Sequence, residues 1–498
     1  MKKIFILISV VLFLPTLGFA AKQGGTLTFA RYQEPLTLDP FTPADNGSIW
    51  AIEQICDSLI EPDDTGNGLV PGLAESWDIS DDGLTYTFHL RDATHSNGDP
   101  VTASDAHFSI TKISDPSTAY GFVFDPVDTM DVIDSKTLQI NLKHKYSPLL
   151  SGISLFSAAV VSQKAYEEDT EAFAKSPTCS GPFVVESWKR GDRLVLTANE
   201  NYWNGRPNLD KVEMLYIPEG NSRVIGLKSG DYDVITGVPY SQAKGLKNTS
   251  GLNLEVQTVF KLDYVYLNHE ASPIDNKDVR LALNYAANRE AIMKAVFFGY
   301  GEIPNGYMPK MGFHDPNVKS IPYDMAKAKE LVAKSYDGTK IELNIDAGNA
   351  PAKQIATILQ QGWTEAGLNV EIIEADGGTN WGKIEKGDFQ ATVSYITSDI
   401  NDDDELAILQ ADYTGGAKAF FSNYNNPEVT SILRKARELS VPAERAKLYS
   451  QAQEIVVWDG YSVPLNFTPA VNGYSDDVKG WKNLTTGWWW LKDVWLDK

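Results

Sequence analysis

The segment at residues 389–405 reads Phe-Gln-Ala-Thr-Val-Ser-Tyr, then Ile-Thr-Ser-Asp, and then Ile-Asn-Asp-Asp-Asp-Glu. Its first part ends at Tyr395, follows a Gly-Asp pair and is rich in β-forming residues, so it predicts a strand. The second part is polar and acidic, which predicts a loop after the strand. A carboxylate of this loop would hold an ammonium or guanidinium group if it faced a cleft, whereas most acidic loops are solvated surface.

The predicted strand at residues 389–395 belongs to a region in which strands and helices alternate. Strands are predicted at 340–345 and 368–374, and between them a helix at 351–366 that Gly367 closes. This alternation predicts an α/β lobe in the second half of the chain. Further helices are predicted there at residues 278–298, 324–335, 426–440 and 442–458.

The first half of the chain is richer in short strands. Asp82-Gly83 and Gly191-Asp192 each separate two strand-like runs, which predicts two hairpins. The segment at 102–113 predicts a helix, because a threonine at its start and an aspartate three residues later are typical of a helix cap.

Two further patterns concern the ends of the chain. Residues 48–60 have helical spacing of apolar residues, with Ser48 as the expected cap. The tail at 487–496 alternates like a strand and is expected to return to the first half of the chain. Two lobes between which the chain crosses back leave a cleft, and clefts are common ligand sites.

The N-terminus has the features of an export signal. Lys2 and Lys3 precede an apolar run at residues 4–14 and a Gly-Phe-Ala sequence that ends at Ala20, which predicts a secretory signal cleaved near that alanine. With 498 residues and 43% hydrophobic composition, the chain can form more than one domain. Its net charge of −22 opposes binding to nucleic acid or to an anionic membrane surface.

The two cysteines, Cys56 and Cys179, leave two interpretations open. In an oxidising compartment they would pair, and the long closed loop would stabilise the fold by about 4–5 kcal/mol in the chain-entropy model. The alternative is a pair of buried free thiols, because the geometry that a disulfide needs cannot be read from sequence.

Sequence motifs for metal, nucleotide or nucleophile chemistry are absent. Asp399, Asn401 and Asp403 match the first, third and fifth positions of an EF-hand, but Asp404 stands at its glycine position and Gln410 at its final glutamate. No Gly-rich phosphate loop, His-Glu-x-x-His, Cys-x-x-Cys or Gly-x-Ser-x-Gly occurs, so no metal and no cofactor are predicted. A glycosidase pair of carboxylates stays open, because its spacing is set in space.

An ordered set of segments resembles the family 5 extracellular solute-binding proteins of bacterial ABC importers, the group that binds peptides, dipeptides and nickel. The set covers nearly the whole mature chain, and its order carries the resemblance more than any one segment does. The segments are Val-Pro-Gly-Leu-Ala-Glu-Ser-Trp at 70–77, Asp-Gly-Leu-Thr-Tyr-Thr-Phe-His-Leu-Arg at 82–91, Ser-Asn-Gly-Asp-Pro-Val-Thr-Ala-Ser-Asp at 96–105, Gly-Pro-Phe at 181–183, Asn-Tyr-Trp at 201–203, Leu-Lys-Ser-Gly-Asp-Tyr-Asp at 227–233, Asp-Val-Arg-Leu-Ala-Leu-Asn-Tyr-Ala at 278–286, Asn-Arg-Glu at 288–290 and Asp-Val-Trp-Leu-Asp-Lys at 493–498.

The resemblance implies an α/β fold of the two-lobed periplasmic-binding-protein type (type II, large cluster), with an extra β-rich subdomain inserted in lobe one. Its lobes close on the ligand. Cys56 and Cys179 would then lie at the two ends of the insertion. The implied division is a signal peptide at 1–20, lobe one at 21–55, 178–268 and 470–498, the inserted subdomain at 56–177, and lobe two at 269–469.

The resemblance also implies a ligand anchor after the strand of lobe two. In peptide-binding relatives an Asp-aromatic-x-Asp/Glu-Pro stretch follows such a strand, and its first aspartate pairs with the peptide α-amino group. Asp399 matches that aspartate, while Ile400 replaces the aromatic residue and Asp403 replaces the proline. Thr397 and Tyr395 are the neighbouring candidates for ligand contact.

A departure from the family pattern affects the expected solute. Dipeptide-binding members hold the ligand carboxylate with an arginine in the loop after a lobe-two strand, but the loop at 346–351 has none, and Lys353 is a poor substitute for a bidentate fork. Asp346 either supplies a second carboxylate, which favours a cationic or polyhydroxylated solute, or caps the loop. Trp381 matches a tryptophan that covers the ligand in relatives, at a shorter spacing, and a core tryptophan is the alternative.

The predicted function is therefore capture of a small solute, peptide-like or cationic and polar, in the periplasm. The protein is expected to act as a monomer and to deliver the solute to an inner-membrane ABC permease without making or breaking a bond. A periplasmic hydrolase and a ligand-sensing or chaperone protein on the same fold are the alternatives.

Overall fold

The computed structural model describes residues 21–43, 45–115, 118, 120–414 and 419–498. The predicted signal at residues 1–20 lies outside them. The described residues form a mixed α/β structure with sheets of seven, five and four strands and two small two-stranded sheets. The predicted α/β class is confirmed.

The seven-stranded sheet joins strands from distant parts of the chain. Strand Thr26–Arg31 pairs in parallel with Lys211–Tyr216 on one side and with Val234–Ile235 on the other, and the remaining neighbours are antiparallel. Strand Ala470–Ser475 brings the C-terminal region back into this sheet. Across the sheet the order is Leu252–Gln257, Ala470–Ser475, Val234–Ile235, Thr26–Arg31, Lys211–Tyr216, Arg193–Ala198 and Phe183–Lys189.

The five-stranded sheet carries the segment at residues 389–405. Its central strand is Ala391–Thr397, which runs parallel to Ile341–Asp346 and antiparallel to Lys261–Leu267. Strand Lys261–Leu267 pairs within this sheet, although the resemblance assigns residues 178–268 to lobe one. Across the sheet the order is Val370–Ala375, Ile341–Asp346, Ala391–Thr397, Lys261–Leu267 and Ser462–Phe467.

The four-stranded sheet lies between the two cysteines in sequence. The hairpin predicted at Asp82-Gly83 is confirmed, because strands Ala74–Ile79 and Thr85–Leu90 pair antiparallel around it. Cys56 and Cys179 are both buried and joined by a disulfide, so the structure has the paired state of the two left open. The strand order is Ala74–Ile79, Thr85–Leu90, Thr137–Leu142 and Val127–Asp134.

Helices cover the sheets and fill the connections between strands. Short 3-10 helices occur at Gly121–Phe124 and Phe156–Ala158, and a π-helix at Ala419–Asn423. The small sheets pair Ile60–Pro62 with Leu69–Pro71 and Val478–Lys479 with Trp495–Leu496. The α-helices are Asn46–Ile52, Ala103–Ile113, Leu149–Ile153, Gln163–Glu168, Thr170–Phe173, Gly220–Ser229, Tyr240–Lys247, Lys277–Tyr285, Arg289–Ala295, Met325–Ser335, Ala350–Glu365, Gly377–Glu385, Asp403–Ala411, Pro427–Glu438 and Pro442–Trp458.

Two helix predictions need correction. The helix predicted at 278–298 is divided into Lys277–Tyr285 and Arg289–Ala295, because Asn288 accepts a hydrogen bond from a backbone N–H of the second helix and caps it. The helix predicted at residues 48–60 spans Asn46–Ile52 instead and is capped by Asp45, whose side chain accepts from the Ser48 backbone N–H at 2.8 Å. Its predicted end is also wrong, because Ile60 already begins strand Ile60–Pro62.

The strand predicted over residues 487–496 is also wrong. The ladder there is limited to Trp495–Leu496, and the preceding Trp488, Trp489 and Trp490 are all buried. The ring of Trp489 packs edge-on against Phe29 of the seven-stranded sheet with 4.6 Å between centroids. Apolar residues that are buried consecutively pack from an irregular segment as well as from a strand, so their pattern alone did not decide between the two.

Candidate ligand-binding site

The candidate site begins where the central strand of the five-stranded sheet ends. Ser398 follows strand Ala391–Thr397, and its backbone N–H donates to the Phe260 carbonyl at 3.1 Å. This bond extends the pairing with the neighbouring chain segment and directs the next residue, Asp399, into the protein interior. The Asp399 side chain is buried, with 7% of the residue exposed.

The two carboxylate oxygens of Asp399 have different surroundings. Oδ2 accepts a hydrogen bond of 3.2 Å from the Tyr120 hydroxyl, and the Tyr120 ring is held edge-on by Phe156 at 5.1 Å between centroids. Oδ1 is buried without a hydrogen-bond partner among the residues that the structure describes. Burial raises the pKa of Asp399 to about 6, although the hydrogen bond from Tyr120 lowers it in part. Asp399 Oδ1 is therefore available to accept a hydrogen bond from a ligand.

The acidic residues after Asp399 are buried and helical rather than a solvated loop. The Asp402 side chain accepts from the Asp404 backbone N–H at 3.0 Å and caps helix Asp403–Ala411. Glu405, in the first turn, accepts a hydrogen bond of 2.6 Å from the Ser398 hydroxyl. Burial, and then the charge of Asp399, raise the pKa of Glu405 to about 8.

Arginines from two other helices explain why this acidic segment is buried. Arg445 forms a two-bond ion pair with Asp402 at 2.7 and 2.8 Å, and Arg437 donates to Asp404 at 2.9 Å. Tyr146, from the region between the cysteines, also donates to Asp404 at 3.3 Å. These bonds compensate two of the acidic charges, and they do not involve Asp399 or Glu405.

Glu53 adds a further buried carboxylate from a distant part of the sequence. It is the C-cap residue of helix Asn46–Ile52 and is 8% exposed. Burial raises its pKa well above the usual range, and the nearby charges of Asp399, Glu61 and Asp57 raise it further. The same helix contacts the strand before Asp399, because Asn46 Nδ2 donates to Thr397 Oγ1 at 3.4 Å.

The predicted site residues fall into two groups. Thr397 contacts helix Asn46–Ile52 through Asn46, and Asp399 follows Thr397 two residues later in the chain. Tyr395 is 42% exposed, with the Lys261 ammonium 4.7 Å from its ring centroid.

Asp346 and Trp381 form the second group. Asp346 is exposed and accepts from Asn380 Nδ2 at 2.9 Å, and Trp381 follows Asn380 in helix Gly377–Glu385 with 37% exposure. Trp381 is therefore not a fully buried core residue. Lys353, the basic residue nearest the arginine-free loop in sequence, pairs with Glu374 at 2.7 Å. Ligand binding by all five residues stays a prediction.

Sequence reasoning did not find Glu53 or Tyr120. Neither belongs to a local motif, and each reaches Asp399 only through the packing of separate chain segments. Glu405 stood inside the segment at 389–405, but only its place in the first helical turn brings it back to Ser398. A run of acidic residues directly after a strand was the available signal.

Comparison with known proteins identifies the family. A model described as bacterial extracellular solute-binding proteins, family 5 Middle, matches residues 68–418, which is more than half of the chain. The chain belongs to family 5 of the bacterial extracellular solute-binding proteins. The resemblance found in the sequence is confirmed, and so are the two-lobed type II periplasmic-binding-protein fold and the assignment as a binding protein rather than an enzyme.

The relatives of this family 5 protein differ in the ligands that they are named for. Heme-binding protein A of Haemophilus influenzae is 27% identical over 501 residues, covering 94% of this chain and 92% of the relative. Glutathione-binding protein GsiB of Escherichia coli is 28% identical over 472 residues, covering 92% and 90%. The structure of the ABC transporter-associated periplasmic binding protein DppA from Helicobacter pylori with peptide STSA has a TM-score of 0.88 at 26% identity, covering 96% and 99%.

This family 5 protein is a substrate-binding protein for an ABC importer, and it binds a small-molecule or peptide solute. Within the described part of the chain, no helix has the length and apolar character needed to cross a membrane. The same residues contain no group of three or more His, Cys, Asp or Glu side chains placed to hold a metal ion.

Proposed function

We propose that the protein captures a small solute with a cationic group, peptide-like or otherwise polar, between its two lobes and delivers it to an inner-membrane permease. The observation that carries the proposal is Asp399 Oδ1, a buried carboxylate oxygen without a hydrogen-bond partner among the described residues. A buried carboxylate oxygen without a hydrogen bond is costly, even where the other oxygen of the group is paired, as Oδ2 is with Tyr120. An ammonium group of the solute would supply both a counter-charge and a hydrogen bond.

The assignment of chain segments to the two lobes is part of the proposal. Lobe one is taken as the seven-stranded sheet with its helices and lobe two as the five-stranded sheet, with the four-stranded sheet as the inserted subdomain. Strand Lys261–Leu267 then marks the crossing into lobe two. Asp399 would recognise the solute from lobe two, while helix Asn46–Ile52 and Tyr120 would enclose it from lobe one and the inserted subdomain.

The surroundings of the site favour a cationic group over a free peptide carboxylate. The loop at 346–351 carries no arginine, and Lys353 is engaged with Glu374. Glu53, Asp399 and Glu405 are three buried acidic side chains, and the charge of Asp399 raises the pKa of both glutamates. An anionic end group of a solute close to Asp399 would be repelled whenever that carboxylate is ionised.

The cellular location and the protein partner are also part of the proposal. The N-terminal segment is proposed to act as a secretory signal cleaved near Ala20, which would release a monomeric protein into the periplasm. A role as a sensor or chaperone on the same fold would replace the permease by a protein partner. The hydrolase alternative has no support, because the relatives are binding proteins.

The first experiment is native mass spectrometry of gently purified protein, followed by release and identification of the bound mass. A solute with an amine or guanidinium group is the expected result. Calorimetry with that solute then compares wild type with Asp399→Asn, for which a loss of about 2–5 kcal/mol in binding free energy is expected if the charge pair is desolvated.

Asp92→Asn is the matched control for the same change at a carboxylate whose side chain is fully exposed. It is expected to alter binding much less than Asp399→Asn. Equal affinity of Asp399→Asn and wild type would remove Asp399 from the site, and a bound solute without a cationic group would contradict the proposed class.

A further inference from the structure

Arg289, beside the five-stranded sheet, is a buried arginine without an acidic partner. It begins helix Arg289–Ala295 and is 5% exposed. Its guanidinium donates to the backbone carbonyls of Pro464, Asn284 and Ile321 at 2.6, 3.2 and 3.3 Å, and to Asn284 Oδ1 at 2.8 Å. All of these acceptors are neutral, and the described part of the chain contains no ion pair to Arg289. Burial lowers the pKa of Arg289 to about 10, and no acidic group among these residues opposes that effect.

Other buried arginines in the second half of the chain lie close to a carboxylate. Arg437 and Arg445 each form an ion pair with a buried aspartate. Arg280 is more similar to Arg289, because its four hydrogen bonds also go to backbone carbonyls. The charge of Asp459 nevertheless raises the pKa of Arg280 against the effect of burial. A buried charge without such a counter-charge is costly, so Arg289 is a candidate to receive a bound anion.

Arg289 lines a small cavity whose wall also contains hydroxyl groups. The cavity has a volume of about 10 Å³, close to the space that one water molecule or one monatomic ion needs. Tyr307 and Ser462 belong to its wall and are 1% and 4% exposed. Neither side-chain hydroxyl has a hydrogen-bond partner among the residues that the structure describes. The four hydrogen bonds of Arg289 use four of the five N–H groups of a guanidinium, so one N–H remains as well.

We propose that this cavity binds one monatomic monovalent anion, such as chloride, which accepts hydrogen bonds from the Arg289 guanidinium and from the hydroxyls of Tyr307 and Ser462. The positive charge favours an anion over a water molecule, because hydrogen bonds between a guanidinium and an anion are charge-assisted. The small volume favours a monatomic ion over a phosphate. The site does not include Asp399, so this inference goes beyond the proposed function. A bound anion would join a helix to the edge strand of the five-stranded sheet and stabilise the folded chain.

Crystals grown in sodium bromide would test the site directly, because bromide resembles chloride and scatters X-rays anomalously. The expected result is an anomalous peak in the cavity, within hydrogen-bonding distance of the Arg289 guanidinium and of Ser462 Oγ. Electron density in the cavity without an anomalous peak would identify a water molecule and overturn the proposal. A cavity that shows no density in these crystals would overturn it as well.

Thermal unfolding measures the same binding in solution. The unfolding midpoint of wild type should be higher in sodium bromide than in sodium gluconate of equal ionic strength, and the difference should grow with concentration, since a ligand that binds only the folded state stabilises it. Ser462→Ala removes one donor and should weaken the apparent bromide affinity by roughly tenfold or more, the usual effect of a hydrogen bond to a charged group. Tyr307→Phe should act in the same direction.

Ser157→Ala is the matched control for Ser462→Ala. Ser157 is also buried, and its hydroxyl also has no partner among the described residues, but it does not belong to the wall of this cavity. The control should keep the bromide dependence of wild type, and circular dichroism would establish that each variant is folded. A bromide effect that is absent in wild type, or equal in wild type and Ser462→Ala, would overturn the anion site, whichever result is obtained for Asp399.

Discussion

Replacing Arg445 by methionine would test whether the acidic segment beside Asp399 is held by buried counter-charges. Arg445 donates to both carboxylate oxygens of Asp402, at 2.7 and 2.8 Å, and to the Tyr449 hydroxyl at 3.1 Å. Asp402 in turn caps the helix that carries Glu405. Loss of this ion pair should therefore destabilise the region that positions the candidate site.

The expected loss is about 3–5 kcal/mol of unfolding free energy, the range for removal of one partner of a buried ion pair. Only 7% of the Arg445 side chain and 8% of the Asp402 side chain are exposed, so Asp402 would remain as a buried carboxylate without its cation. Burial already outweighs Arg445 and raises the pKa of Asp402. Without the guanidinium that pKa rises further, so the loss should be smaller at lower pH, where protonation of Asp402 removes the uncompensated charge.

Urea unfolding followed by circular dichroism at pH 5 and pH 8 would measure this effect. Lys340→Met is the control, because Lys340 pairs with Glu371 in a half-exposed ion pair whose loss should cost at most about 1 kcal/mol. Adding Asp402→Asn to Arg445→Met should restore part of the stability, since the uncompensated charge is then removed. If Arg445→Met lowers the unfolding free energy no more than Lys340→Met does, the reasoning is refuted.

Two further predictions concern the disulfide and the buried carboxylates. Replacing Cys56 and Cys179 by alanine removes a link between residues 123 apart in sequence and should lower the unfolding free energy by about 5 kcal/mol in the chain-entropy model; a urea midpoint equal to that of the oxidised wild type would contradict this. Burial raises the pKa of Glu405 to about 8 and that of Asp399 to about 6, whereas unfolded carboxyls titrate near pH 4. The folded protein therefore holds protons that the unfolded chain has lost, and its stability should fall from pH 5 to pH 8. This decrease in unfolding free energy should be smaller in Glu405→Gln. Equal slopes of unfolding free energy against pH for the variant and wild type would contradict the prediction.

The local elements were predictable because their causes are local. The turn at Asp82-Gly83 joins strands that are adjacent in sequence, and Thr102 and Asp105 cap helix Ala103–Ile113 with reciprocal hydrogen bonds. The helix predicted at 278–298 failed at a local detail, the cap at Asn288, which the periodicity of apolar residues does not report.

The order of these elements, the family resemblance and the position of one candidate anchor, Asp399, follow from the sequence alone. The surroundings of that anchor depend on tertiary packing. Tyr120, which hydrogen-bonds Asp399, is 279 residues away in sequence, and Glu53 lies still further away. Whether a carboxylate is solvated or buried depends on which distant side chains pack around it and supply counter-charge, and no pattern within a single segment encodes that environment.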